Sequence, residues 1–163
     1  MDFTFEEFVR YTNEEREKWR GWFAAHPDAM AIELQSGGRY PTVGSLVDHI
    51  FLVERRHLQR LNDVRPDDMT GLSGHHAPPL FDYGASVRRE LEQFAADLDA
   101  DVANELRTFT LQSGGRFDLT PRKLLFHCLL HETRHWAQIA LSVRRAGLEP
   151  PGNHDLYYSK ALR

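Results

Sequence analysis

The sequence predicts an all-α fold, a four-helix bundle with a small β-hairpin before its last helix. Three observations predict it: long stretches with apolar residues at helical spacing, breaker-rich segments between them, and an internal repeat that divides the chain into two similar halves. At 163 residues and 41% hydrophobic content the chain has the size of a single domain, 1–163, able to bury a core without disulfides or structural metal.

Thr4 and Glu7 form a T-x-x-E capping box before an amphipathic stretch that runs to about Ala25, where His26-Pro27 ends it. A second helix is expected after Tyr40-Pro41-Thr42, running through Asp63. Residues 64–81, with Pro66, Gly71, Gly74, Pro78 and Pro79, read as a long connection. Asp82 is expected to cap a third helix reaching about residue 104, with Val87, Leu91, Phe94, Ala95 and Leu98 on its apolar side. Residues 106–120 alternate apolar and polar around Ser113-Gly114-Gly115 and read as a hairpin. Thr120-Pro121 starts the fourth helix and Gly147 stops it, before a proline-rich tail.

The repeat is LQSGGRY (34–40) recurring as LQSGGRF (111–117), each just upstream of a major helix. With one residue inserted it continues: HIFLVERRH (49–57) aligns with HCLLHETRH (127–135), matching His49 to His127, Glu54 to Glu132 and His57 to His135. A pseudo-two-fold bundle follows, in up-down-down-up order, with the second and fourth helices antiparallel neighbours and a long crossover between parallel second and third helices.

A formal charge of −4 and a pI near 6.1 give no electrostatic reason to seek nucleic acid or an anionic membrane. The single cysteine, Cys128, forms no internal disulfide, and neither a signal sequence nor a long apolar span is evident, so a cytoplasmic protein is expected.

The chemistry concentrates in the fourth helix. His131 and His135 stand four residues apart, so on a helix they point about 40° apart and lie about 6 Å apart along the axis, within reach of one ion. His127, Gln138 and Ser142 share their arc of about 80°. That arc is flanked by Leu124, Cys128 and Ile139 rather than by Lys and Glu, which marks a sequestered stripe. A third ligand should come from another helix, and His49, bordering the apolar arc of the second helix, is the best candidate. Three imidazoles leave open coordination positions, as catalytic sites do.

In the sister half, His49 approaching His135 implies His57 approaching His127, but Val53 stands where His131 has its counterpart. His57 and His127 are therefore expected to support the site or the core rather than to bind metal. Glu54 falls within the apolar arc of the second helix and needs a partner, either in an ion pair with an Arg or a Tyr hydroxyl, or by orienting a ligand imidazole. Trp19, Trp22 and Trp136 read as core, and His75-His76 as exposed loop. The run His131-Glu132-Thr133-Arg134-His135 also spells H-E-x-x-H, the zinc-protease motif. That reading leaves His49 idle and points Glu132 about 100° from His131.

His49 within VGSLVDHIFLVERRHL, then HCLLHETRHWAQIALSVRRAG, then PPGNHDLYY together resemble the DinB/YfiT-like family of metal-dependent enzymes (the DinB superfamily) over nearly the whole chain. The most specific part is H-x-x-x-H-x-x-Q, carried by His131, His135 and Gln138 ahead of Arg145-Ala146-Gly147. Where that family often has His-Arg-Gly-Gln, this chain has His135-Trp136-Ala137-Gln138, which leaves the ligands intact. The resemblance implies a DinB-like four-helix bundle, often a homodimer, holding a divalent metal at His49, His131 and His135. It implies a small-molecule substrate and, in some relatives, a low-molecular-weight thiol such as bacillithiol or mycothiol activated for transfer or isomerisation. Zinc or nickel is the expected metal, since the ligands are imidazoles. Two alternatives stay open: a non-catalytic metal-binding or stress-response bundle, and the H-E-x-x-H hydrolase.

Overall fold

The computed structural model describes residues 4–34, 39–66, 76–111 and 114–162. Helix α1 spans Phe5–Ala25 and opens on the reciprocal cap, Glu7 N donating to Thr4 Oγ1 at 3.1 Å and Thr4 N to Glu7 Oε2 at 2.8 Å. A 3-10 turn at Pro27–Ala31 leads to α2, Val43–Leu61, where Thr42 and Ser45 cap each other in the same way. This helix ends just before Asp63, which has φ 57°.

Helix α3, Ala77–Asp97, departs from expectation at both ends. It begins before Asp82, because Pro78 and Pro79 fall in the first turn, where a missing N–H costs nothing and a fixed φ favours the helix. Asp82 therefore lies inside the helix and pairs with Arg20 of α1. It ends at Asp97 because Leu98 turns extended, and Asp99 then caps a separate short helix, α4, Ala100–Asn104, by accepting from Asp101 N and Val102 N.

Strands β1, Arg107–Thr110, and β2, Arg116–Leu119, form the expected antiparallel hairpin, with Phe109 opposite Phe117. In the first copy of the repeat the corresponding segment makes one bridge, Glu33 to Thr42; residues 35–38 and 112–113 of the two copies lie outside the described residues. Helix α5, Pro121–Arg145, starts on a Thr120 cap, and beyond its end Gly147 takes φ 83°, the left-handed conformation for which glycine is suited.

Side-chain pairings fix the directions. Phe5 meets Phe126 and Trp19 meets Trp136, so α1 and α5 run parallel. Phe51 meets Phe81 and Arg55 meets Glu90, so α2 and α3 run parallel as well. His49 meets His135 while His57 meets His127, so α2 and α5 are antiparallel. The result is the up-down-down-up bundle. Trp19, Trp22 and Trp136 are core residues at one end, and Phe109 of the hairpin closes the other against Leu58, Leu91 and Leu124. Among the described residues, no helix is long and apolar enough to cross a membrane.

The middle of this core is ionic. Arg16 of α1 and Arg88 of α3 each bridge Glu54 of α2 and Glu132 of α5, and all four side chains are buried. The arrangement obeys the pseudo-two-fold: Arg88 Nη1 donates to Thr12 Oγ1 at 2.8 Å, one turn before Arg16, while Arg16 Nη1 donates to the Gly84 carbonyl at 3.0 Å, one turn before Arg88. Burial pushes the Glu54 carboxyl up, but Arg16 and Arg88 outweigh it and hold the group below its ordinary value.

Candidate metal centre

The amphipathic pattern of α5 turns His131 and His135 toward α2, and the antiparallel pairing brings His49 to meet them. Nε2 of His131 lies 3.2 Å from Nε2 of His49 and 3.0 Å from Nε2 of His135. Ligand atoms of the three lie within 4.8 Å of one another. Two nitrogens each about 2.0–2.1 Å from one tetrahedral ion sit roughly 3.3 Å apart, so the set fits a shared divalent ion. All three rings are half-buried, which leaves a side for water or substrate.

The far side of the His135 ring is held. His135 Nδ1 lies 2.6 Å from Gln138 Oε1, and an amide oxygen only accepts, so Nδ1 carries the proton and Nε2 keeps its lone pair for a metal. The Tyr40 hydroxyl lies 2.6 Å from His49 Nδ1 and 3.2 Å from its Nε2, so it touches both ring nitrogens and selects no tautomer.

Electrostatics keep the imidazoles neutral, the form that binds metal. Burial first, then the rings of His131 and His135 and the charges of Arg39 and Arg56, push His49 down to about 3. Burial, His135, His127 and Arg134 push His131 down to about 4. His135 is also lowered, by burial first and Arg134 after, while the Gln138 bond opposes them.

The other candidates fall elsewhere. His57 is buried with Nδ1 3.4 Å from Arg60 Nη1, and it faces exposed His127 at 5.3 Å between ring centroids. His127 in turn lies beside His131, at 5.7 Å. Glu54 gives its carboxylate to Arg16 and Arg88, so its partners are the arginines of the ionic core and not a ligand imidazole. Glu132 likewise bonds Arg16, Arg88 and Trp136 Nε1, and is 1% exposed. A carboxylate so committed is no general base for an H-E-x-x-H hydrolase. His76 is exposed and precedes α3, while His75 lies outside the described residues.

Sequence reasoning missed two things. Tyr40 was visible only as a residue before a helix, although an aromatic hydroxyl nine residues ahead of a ligand histidine was there to be weighed. Arg16 and Arg88 carry no local signal beyond being cations within apolar helical stretches.

The comparisons with known proteins agree with this fold. The model of the DinB family matches residues 1–161. Among solved structures, a DinB-like protein from Bacillus subtilis superposes with a TM-score of 0.59 at 17% identity, over 93% of this chain and 94% of that one, a likeness of fold. The search of curated proteins returned no match. With the bundle, the hairpin and the three-histidine cluster all in place, the chain belongs to the DinB family.

Proposed function

We propose that the chain is a divalent-metal-dependent enzyme, holding zinc or nickel at His49, His131 and His135 and activating a low-molecular-weight thiol for transfer to, or isomerisation of, a small molecule. The observation that carries the reading is the trio of Nε2 atoms at 3.0 and 3.2 Å, with Nδ1 of His135 on Gln138 and Nδ1 of His49 on Tyr40. Bound there, a divalent ion supplies a Lewis acid that makes a thiol or water nucleophilic at neutral pH.

The chain's own residues supply the rest. Gln138 fixes the His135 tautomer and Tyr40 packs on the His49 ring; burial and Arg39, Arg56 and Arg134 keep the rings unprotonated. Cys128 is buried and its thiol is pushed up by burial, so a sulfur nucleophile has to come from outside the chain. A cytoplasmic homodimer is part of the same proposal.

Element analysis of untagged protein is expected to return stoichiometric metal, lost in His49→Ala and His131→Ala and kept in His75→Ala. A panel of small thiols offered with an alkyl halide or an epoxide tests the reaction through loss of free thiol. Equal rates for wild type and metal-free His135→Ala across the panel would support the second reading, a non-catalytic metal-binding bundle. One observation favours that alternative: the cluster joins α2 to α5, so an ion there would pin two helices together.

A further inference from the structure

Three arginines stand near the three histidines. Arg39 and Arg56 act on His49, and Arg134 acts on His131 and His135. Of the carboxylates on the same two helices, Asp48 is buried next to His49 in sequence, and Glu54 and Glu132 are buried against Arg16 and Arg88. Three neutral imidazoles cancel none of a divalent ion's charge.

Beside the ligands lies a cavity of about 290 Å³, with Arg39 and Arg145 among its lining residues and Tyr40, Gln138, Leu46 and Leu141 between them. Among the described residues, no carboxylate lines it. Arg39 rests over the Tyr40 ring, 5.8 Å from its centroid, and Tyr40 is the partner of His49 Nδ1. Gln138 is the partner of His135 Nδ1. The cavity therefore adjoins the metal centre through the two side chains that touch its ligands. Guanidiniums match two-oxygen anions with paired N–H donors.

We propose that this cavity is an anion subsite, in which Arg39 and Arg145 take a carboxylate or phosphate group of the small molecule that reacts at the metal centre. The inference rests on the proposed metal-dependent reading for the other end of that molecule. The two arginines, however, bind a simple anion whether or not metal is present.

The test is a titration of the full chain, followed through the side-chain Nε–Hε resonances of its arginines by NMR. Succinate, inorganic phosphate and uncharged succinamide are the probes. Saturating shifts at Arg39 and Arg145 with succinate or phosphate, absent with succinamide and about tenfold weaker in affinity in Arg145→Gln or Arg39→Gln, are expected. Whichever anion binds tighter assigns the subsite to carboxylate or to phosphate. Shifts equal for succinamide, spread over all surface arginines, or unchanged in both variants would overturn the inference, and so would the absence of saturation with either anion. Element analysis of the same samples separates the two ideas. Anion binding without metal fails only the metal-dependent reading; metal without anion binding fails only this one.

Discussion

His57 and His127 face each other across α2 and α5 with ring centroids 5.3 Å apart, repeating in the second half of the bundle the pairing of His49 with His135 at 5.0 Å. The repeat matches His57 to His135 and His127 to His49, and the place of His131 is taken by Val53. One half thus carries three imidazoles and its sister carries two. Val53→His is expected to complete a second site and raise bound zinc from one to two per chain by element analysis. Stoichiometry that stays at one would show that the two halves differ by more than this side chain.

The ionic core makes a sharper energetic prediction. Arg88→Met leaves Glu54 and Glu132 sharing Arg16 alone, an uncompensated buried charge that should cost about 3–5 kcal/mol in urea unfolding. Adding Glu54→Gln restores neutrality, so the double variant should be more stable than Arg88→Met alone. Costs that simply add would deny the coupling. Metal content should survive Glu132→Gln, since that carboxylate is bonded to the arginines and Trp136.

Much of this architecture was legible because local chemistry and global fold agree. Thr4 with Glu7, Thr120 with Pro121, and Gly147 at φ 83° all end helices where their side-chain or backbone properties dictate. The repeat supplied the symmetry, and with it the meeting of His49 with His135 and of His57 with His127. The start of α3 was misread because a proline pair breaks a helix interior but favours a first turn, and the sequence does not say which applies. The arginine partners of Glu54 were illegible for a different reason. Arg16 and Arg88 lie on other helices, and single-helix periodicity gives no register across a bundle.

Gly84→Ala tests packing against propensity. In an exposed helix interior this change gains about 1 kcal/mol. Here the added Cβ would sit 2.6–2.8 Å from ring atoms of buried Phe51, and overpacking of that kind costs about 1–3 kcal/mol. A lower urea midpoint is expected, and a higher one would mean that the Phe51 ring moves aside freely.

The histidines set the pH dependence of the metal-free protein. His49 and His57 are pushed down to about 3 and His131 to about 4, burial being the first cause in each. Between those values and the ordinary histidine value near 6.5 the unfolded chain binds protons that the folded chain does not. Stability is therefore full above about pH 6.5 and falls as pH drops toward 4. Urea midpoints measured across that window should decline, and His57→Gln should make the decline shallower. A midpoint that is flat, or that rises on acidification, would contradict the burial of these rings.

Tyr40→Phe isolates the hydroxyl that touches the His49 ring. Its oxygen lies 2.6 Å from His49 Nδ1 and 3.2 Å from Nε2, and the ring itself is half-buried against the imidazole at 4.2 Å between centroids, so phenylalanine keeps the packing and removes only the polar contact. Polar partners of a coordinating imidazole typically account for 10–100-fold in metal affinity, because they hold the ring in place. Competition with a zinc chelator should show a loss in that range for Tyr40→Phe, with an unchanged urea midpoint for the metal-free protein. Gln138→Leu should show a similar loss through His135. Affinity equal to wild type in both variants would mean that the three imidazoles hold their geometry through helix packing alone.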